Sequence, residues 1–216
     1  MNSSIKSENK LNKKSILVLF AHPSPDRSEV NMPMYNATKG LPGVTLVDLY
    51  AEYPRMNIDV DREQQRLIEH DIIIFMHPLY WYSTPAILKE WQDLVLEHGF
   101  AYGSEGTALQ GKIFFNVLSA GGELFAYSEK GYNHYTIREL LHPLEQMAIL
   151  CQMTYLPPYA LFGARTAVEE GRMKIHISQW KRLIQALLED RVNMELAIQQ
   201  PTLNNNLDAL LREVTL

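Results

Sequence analysis

Three continuous apolar runs of strand length recur along the chain, at residues 15–21 (SILVLFA), 71–77 (DIIIFMH) and 112–119 (KIFFNVLS). A run without polar alternation marks a strand buried on both faces, and strands covered twice belong to parallel sheets with helices on each side. Residues 44–48 supply a shorter candidate strand, and residues 154–162 a fifth that is interrupted by Pro157 and Pro158. Helical patterns fall between them at 32–40, 60–70, 85–98 and 134–150, with a longer amphipathic run at 166–190. Parallel strands need crossovers, so this alternation predicts an α/β three-layer, doubly wound sheet of five parallel strands. Ligands of such sheets bind beyond the carboxyl ends of the strands, which directs attention to the loops after the first, third and fourth.

At 216 residues the chain suits one α/β domain, expected over residues 15–192. Residues 1–14 are polar and lysine-containing and are expected as a disordered tail; residues 193–216, broken by Gln199, Gln200, Pro201 and three asparagines, are expected as a short helical tail. A net charge of −5 with no dense Lys/Arg stripe argues against nucleic acid binding. No apolar run approaches the length of a membrane span, so a soluble protein is expected, and the single cysteine makes a reducing cytoplasm the expected location. Cys151 is the single cysteine, which removes an intrachain disulfide and a cysteine-rich metal site, and no metal is expected.

The loop after the first strand, 21–31 (AHPSPDRSEVN), leads into a helix. Unpaired N–H groups at a helix start suit an anion, with Ser28, Asn31 and His22 as added donors, although the same residues read equally well as a capped helix with a satisfied loop histidine. Its composition is not that of a Walker loop, whose glycines and lysine are absent. After the third strand, 77–85 (HPLYWYSTP) places three aromatics in consecutive positions, which cannot all enter one core. They can wall a cleft for a planar heterocycle, or pack under a loop or at an interface. After the fourth strand, Ser119, Ala120, Gly121 and Gly122 permit close approach of backbone to a ligand.

Taken together these segments resemble the flavodoxin-like NAD(P)H quinone reductases, and more closely the ancillary oxidoreductases of bacterial Kef potassium-efflux systems. The resemblance covers roughly residues 15 to 190. It is carried by AHP at 21–23 and the Asn31 that follows, DLYAEYPRMNIDVDREQ at 48–64, HPLYWYSTPAILKEW at 77–91, HGFAYG at 98–103 and LPP at 156–158. It implies a flavodoxin-like fold and a flavin, FMN by the ancillary group or FAD by the diaphorase group, that takes a hydride from NAD(P)H and passes two electrons to a quinone or similar acceptor.

By this resemblance His22, Ser28 and Asn31 bind the flavin phosphate and ribityl region. Leu79, Tyr80, Trp81 and Tyr82 line the isoalloxazine, and Ser119, Ala120, Gly121 and Gly122 reach its pyrimidine edge. The family commonly has a second threonine where this chain has Ala120. Its diaphorase type places a helper tyrosine five residues, and a helper histidine eleven residues, after the second glycine. Here those counts give Tyr127 and Asn133, with His134 next to it; Tyr127 is carried over as a catalytic helper, and the histidine role is left open. Tyr102 is expected as the second wall of the acceptor site, reaching the pocket of a partner subunit in a homodimer. The exposed aromatic loops and the HGFAYG segment also favour pairing, because they offer much apolar surface. The alternative reading is a regulatory subunit of a glutathione-gated potassium-efflux system, held at the inner face of the membrane through its channel, with catalysis secondary.

Overall fold

The computed structural model describes residues 13–212. Five parallel strands form the sheet, in the order β2-β1-β3-β4-β5: β1 (Ile16–Phe20), β2 (Val44–Asp48), β3 (Ile72–Pro78), β4 (Ile113–Ser119) and β5 (Thr154–Tyr155). Pro157 and Pro158 break the last strand, which resumes as β6 (Tyr159–Leu161) and pairs with β4 again. Proline has no N–H for a ladder, so the interruption falls where the sequence places it. Every residue of β1, β3 and β4 is buried, as their apolar runs require.

Alternate residues feed two cores. Leu17, Leu19, Ile73, Phe75, Phe114 and Leu118 face one side. They meet α2 (Leu49–Glu52), α3 (Val60–Glu69), α4 (Ala86–Val95), α5 (Ile137–Leu140) and α6 (His142–Leu150). Ile16, Val18, Phe20, Ile74, Met76, Phe115 and Val117 face the other side. There they meet α1 (Asn31–Thr38) and α7 (Arg172–Leu188). The expected helix at 134–150 is two helices, since Leu141 leaves the regular path and Pro143 starts the second. The long run begins as a helix only at Arg172, after Gly171 at φ 72°. Helix α2 has no counterpart among the expected elements; the Asp48 carboxylate starts it by accepting from Tyr50 N (3.1 Å) and Ala51 N (3.2 Å).

Two further short helices follow, α8 (Met194–Ile198) and α9 (Leu207–Leu210). Ala197, Leu203, Leu207 and Leu210 of this segment share a core with α7. Asn204 accepts from Ala160 N (3.0 Å) and donates to Ala160 O (3.1 Å), so its amide occupies the open edge beside β6. Residues 1–12 of the expected polar tail lie outside the described residues, while Lys14 N–H already donates to Leu188 O (2.9 Å) and its ammonium pairs with Asp190 at 2.8 Å.

With β2 and β3 on opposite sides of β1, the strand order reverses between β1 and β3, and the carboxyl ends of β1, β3, β4 and β6 open onto one edge.

Candidate functional site

The loop after β1 bends into α1 through Ser28, whose hydroxyl oxygen accepts from Met32 N (3.1 Å) in the first turn of the helix. The N–H groups of Glu29, Val30 and Asn31 make no hydrogen bond among the described residues, the usual state of a helix start awaiting an acceptor. Asn31 is 1% exposed. Its Oδ1 accepts from Ser119 Oγ at 2.6 Å, tying this loop to the end of β4, while its Nδ2 is buried without a partner. A buried amide donor left open is costly unless a ligand acceptor completes it. His22 accepts from Ser24 N at Nδ1 (3.1 Å), which puts the proton of the neutral ring on Nε2. Burial holds its pKa below the ordinary histidine value, outweighing the upward pull of Asp48.

The loop after β3 carries the most strained backbone of the site. Tyr80 and Ser83 exchange both backbone hydrogen bonds, at 3.1 and 3.0 Å, which closes a two-residue turn. Its central residues, Trp81 (φ 49°) and Tyr82 (φ 64°), both have positive φ. That is the type I′ arrangement, which asparagine and glycine normally fill. Two aromatics there cost about 1–2 kcal/mol each, and such strain gathers where a structure is shaped for a ligand. Trp81 is 94% exposed, with Tyr80 and Tyr82 about half exposed. Tyr82 hydroxyl donates to Asn133 Oδ1 (3.1 Å), which steadies the turn from the far side of the cleft.

At the end of β4 the four expected residues divide. Ser119 and Gly121 line the cleft beside Asn31, and Gly122 lines its continuation. A Cβ on Gly122 would lie 2.5 Å from the hydroxyl of the exposed Tyr132, which would have to shift, and 3.3 Å from Ala126 and Tyr127, so the glycine keeps this part of the cleft open. Ala120 belongs to the core: it is 1% exposed, gives its N–H to Leu161 O (2.8 Å) and its carbonyl to Ala164 N (3.0 Å). It lines neither part of the cleft, because successive residues of a strand point to opposite faces.

The result is one recess in two connected parts. The first, about 420 Å³, is lined by His22, Ser28, Asn31, Tyr80 and Ser119 together with Arg27. The second, about 280 Å³, is lined by Trp81, Tyr82, Gly122, Tyr127, Tyr132 and Asn133. Leu79, Gly121 and Arg165 border both. Tyr127 stands 5.3 Å from Phe162 between ring centroids. Burial, and after it the neighbouring Tyr132, raises its pKa, so its hydroxyl keeps its proton as a donor. Tyr102 lines neither part; it packs edge-on to His98, with ring centroids 5.5 Å apart. His134 is exposed and absent from the lining. Arg27, Pro78, Tyr132, Ala164 and Arg165 are lining residues that sequence reasoning missed. Arg27 lay within a quoted loop, whereas Arg165 follows the irregular last strand, where no motif marks it.

These features fit a ligand with an anionic end and a flat apolar end. A family model described as "Flavodoxin-like fold" matches residues 14–184. General stress protein 14 of Bacillus subtilis (strain 168) is 48% identical over 155 residues, covering 72% of this chain and 89% of that protein. The glutathione-regulated potassium-efflux system ancillary protein KefG of Serratia proteamaculans (strain 568) is 46% identical over 150 residues, covering 69% and 82%. Among solved structures, one described as a thermophilic tryptophan halogenase from Streptomycin violaceusniger superposes with a TM-score of 0.75 at 46% identity, covering 77% of this chain and 96% of that one. General stress protein 14 from Treponema denticola, in complex with FMN, gives 0.75 at 32% identity over 80% and 99%. An NADPH-quinone reductase from P.pentosaceus gives 0.70 at 32% over 79% and 97%. With its 2-1-3-4-5 sheet and a recess at the point where strand order reverses, the chain belongs to the flavodoxin-like fold family of these proteins.

Proposed function

We propose that this protein is a flavin-dependent NAD(P)H oxidoreductase that binds FMN, with FAD as the alternative, and reduces a quinone or similar acceptor. The observation that carries this reading is the pairing, in one recess, of the open Asn31 amide donor with a strained aromatic turn. The FMN bound by the Treponema denticola relative supports the choice of cofactor, and the P.pentosaceus neighbour named an NADPH-quinone reductase supports the reaction class.

The flavin supplies the redox chemistry, accepting a hydride from the nicotinamide and delivering two electrons to the acceptor. The chain supplies position. Asn31 Nδ2, the free N–H groups at the start of α1 and the Nε2–H of His22 are the donors for the phosphate end. Leu79 and the turn at Trp81 and Tyr82 wall the planar end, with Gly121 and Gly122 opposite. Tyr127 offers its protonated hydroxyl within the planar part of the recess. Hydride transfer needs the nicotinamide carbon about 3–3.5 Å from the flavin, which leaves no space for a quinone in the same stack, so donor and acceptor use this part in turn. Double-reciprocal plots at several quinone concentrations should accordingly be parallel, and intersecting lines would refute the shared recess.

The reading extends to a homodimer of about 50 kDa, twice the 24.9 kDa chain, because Leu124, Phe125, Tyr132 and Tyr135 add to the exposed apolar surface that Trp81 presents. Tyr102, remote from its own recess, then serves the recess of the partner subunit, and Tyr102→Ala raises the quinone KM more than it weakens FMN binding. Among the described residues no helix is long and apolar enough to cross a membrane; a cytoplasmic location is part of the same proposal. Mass spectrometry of the flavin released from purified protein tests the central claim: FMN is expected, and protein that neither carries nor takes up any flavin would refute it.

A second reading follows from the KefG relatives: a channel-bound regulatory subunit at the inner face of the membrane, with catalysis secondary. Turnover of NAD(P)H with quinone by the isolated protein favours the enzyme. Activity that emerges only with a potassium-efflux channel's cytoplasmic domain favours the subunit.

A further inference from the structure

The two parts of the recess meet at Leu79, Gly121 and Arg165, and of these only Arg165 carries charge. It has no carboxylate within ion-pair reach among the described residues. Its loop is nevertheless held firmly. The Arg172 guanidinium donates to Phe162 O (2.7 Å), Gly163 O (2.8 Å) and Thr166 Oγ1 (3.1 Å), and so fastens the chain on both sides of Arg165. The backbone adds Ala164 N to Ala120 O (3.0 Å) and Gly163 N to Gly122 O (2.8 Å), locking the same loop to the glycine pair at the end of β4. An unpaired cation is thus presented by a braced loop at the junction between the phosphate-accepting donors and the aromatic wall.

A ligand phosphate keeps its charge throughout the reaction, but the ring does not. A hydride brings two electrons and one proton, so the ring gains one unit of negative charge unless a second proton follows. A cation beside it, partly dried by the bound ligand, favours the charged form over the neutral one. Building on the flavin reading above, we propose that Arg165, positioned by Arg172, is the residue that makes this site bind reduced FMN more tightly than oxidised FMN. It thereby raises the midpoint potential of the bound flavin and suits it to accept hydride from the nicotinamide.

The experiment measures the dissociation constants of oxidised FMN and of FMN reduced anaerobically, together with the midpoint potential by dye equilibration. The proteins compared are the wild type, Arg165→Gln, Arg165→Lys, Arg172→Met and the double variant Arg165→Gln/Arg172→Met. Arg165→Gln should weaken reduced FMN about tenfold more than oxidised FMN, which for a two-electron couple lowers the potential by about 30 mV. Arg165→Lys should restore most of the difference. Arg172→Met should shift the potential in the same direction, and the double variant should move no further than Arg165→Gln alone, since the brace acts only through the cation. Equal weakening of both redox forms would make Arg165 a phosphate contact and overturn the proposal, as would an unchanged potential. A wild-type protein that binds neither form would defeat the flavin reading itself, a result visible before any variant is made.

Discussion

Replacing Trp81 by glycine should make the apoprotein more stable while making it a poorer flavin binder. Trp81 sits at φ 49° in a turn closed by reciprocal Tyr80–Ser83 hydrogen bonds, with its side chain 94% exposed. Removing an exposed ring forfeits almost no packing, whereas glycine relieves a left-handed strain of about 1–2 kcal/mol. Against this stands the extra freedom glycine gives the unfolded chain, about 0.4–1 kcal/mol. The balance is a gain centred on about 0.8 kcal/mol and at most about 1.6 kcal/mol, which for a domain of this size raises the Tm by up to about 6 °C. Loss of the aromatic face should meanwhile cost about 0.5–1.5 kcal/mol of ring contact, a weakening of up to about tenfold in FMN affinity. Trp81→Ala is the control, because it removes the ring but keeps the strain: affinity falls equally and stability does not rise. Urea unfolding of the apoproteins and fluorescence titration with FMN give both quantities. A Trp81→Gly protein no more stable than Trp81→Ala would show that strain is not stored here, and undiminished FMN affinity in both would show that the turn does not serve the ligand.

Asn31→Ala and His22→Ala should each weaken FMN binding, Asn31→Ala by about tenfold or more, since a hydrogen bond to a charged group contributes about 1.5–3 kcal/mol; unchanged dissociation constants in both would remove the phosphate assignment. Acid should destabilise the fold through His176, which is 4% exposed, has no partner at Nε2, and is held at a pKa of about 4 by burial and secondarily by Arg172. Because its folded pKa lies below its unfolded value, its contribution is intact above about pH 6.5 and fades as pH falls toward 4, amounting to about 2.5 kcal/mol between pH 7 and 4.5. Urea unfolding at those two values should show a smaller loss in His176→Met than in the wild type, and an equal loss would refute the assignment.

How much of this was open to sequence reasoning depends on the range of the forces involved. The three unbroken apolar runs announced β1, β3 and β4 because burial on two faces leaves no room for polar alternation, and the prolines at 157 and 158 announced the break before β6. Helix α2 escaped because a single carboxylate, Asp48, starts it, and a four-residue helix has no periodicity to read. The three loops that line the recess were read from position and composition. The fate of Ala120 was hidden in strand parity one residue past the end of β4, and that of Arg165 in a loop whose place depends on Arg172 bonds formed only after α7 packs. The left-handed turn at Trp81 and Tyr82 had no signal either, since neither asparagine nor glycine marks it.

Beneath that turn the sheet carries a polar chain whose direction can be worked out from proton counting. His77, fully buried on β3, has Nδ1 3.0 Å from Pro78 O. A carbonyl can only accept, so Nδ1 holds a proton, and because burial drives the ring's pKa down, Nε2 holds none and must accept. The Asn116 amide meets Nε2 at 3.2 Å through its oxygen, and in that orientation its own nitrogen and the Tyr155 hydroxyl have no partner. Turning the amide over gives Nδ2–H to the Nε2 lone pair of His77, the direction the neutral ring requires. The chain then runs from Asn116 on β4 through His77 on β3 to the carbonyl of Pro78. A buried polar pair in an apolar core is tolerated where its members bond each other. So bonded, it anchors the peptide of Pro78, whose successor Leu79 already donates to Ser119 O at 2.8 Å. The base of the recess is thereby held from below while the strained turn above it stays exposed, so the rigidity that positions a ligand and the strain that shapes its wall occupy adjacent residues of one loop.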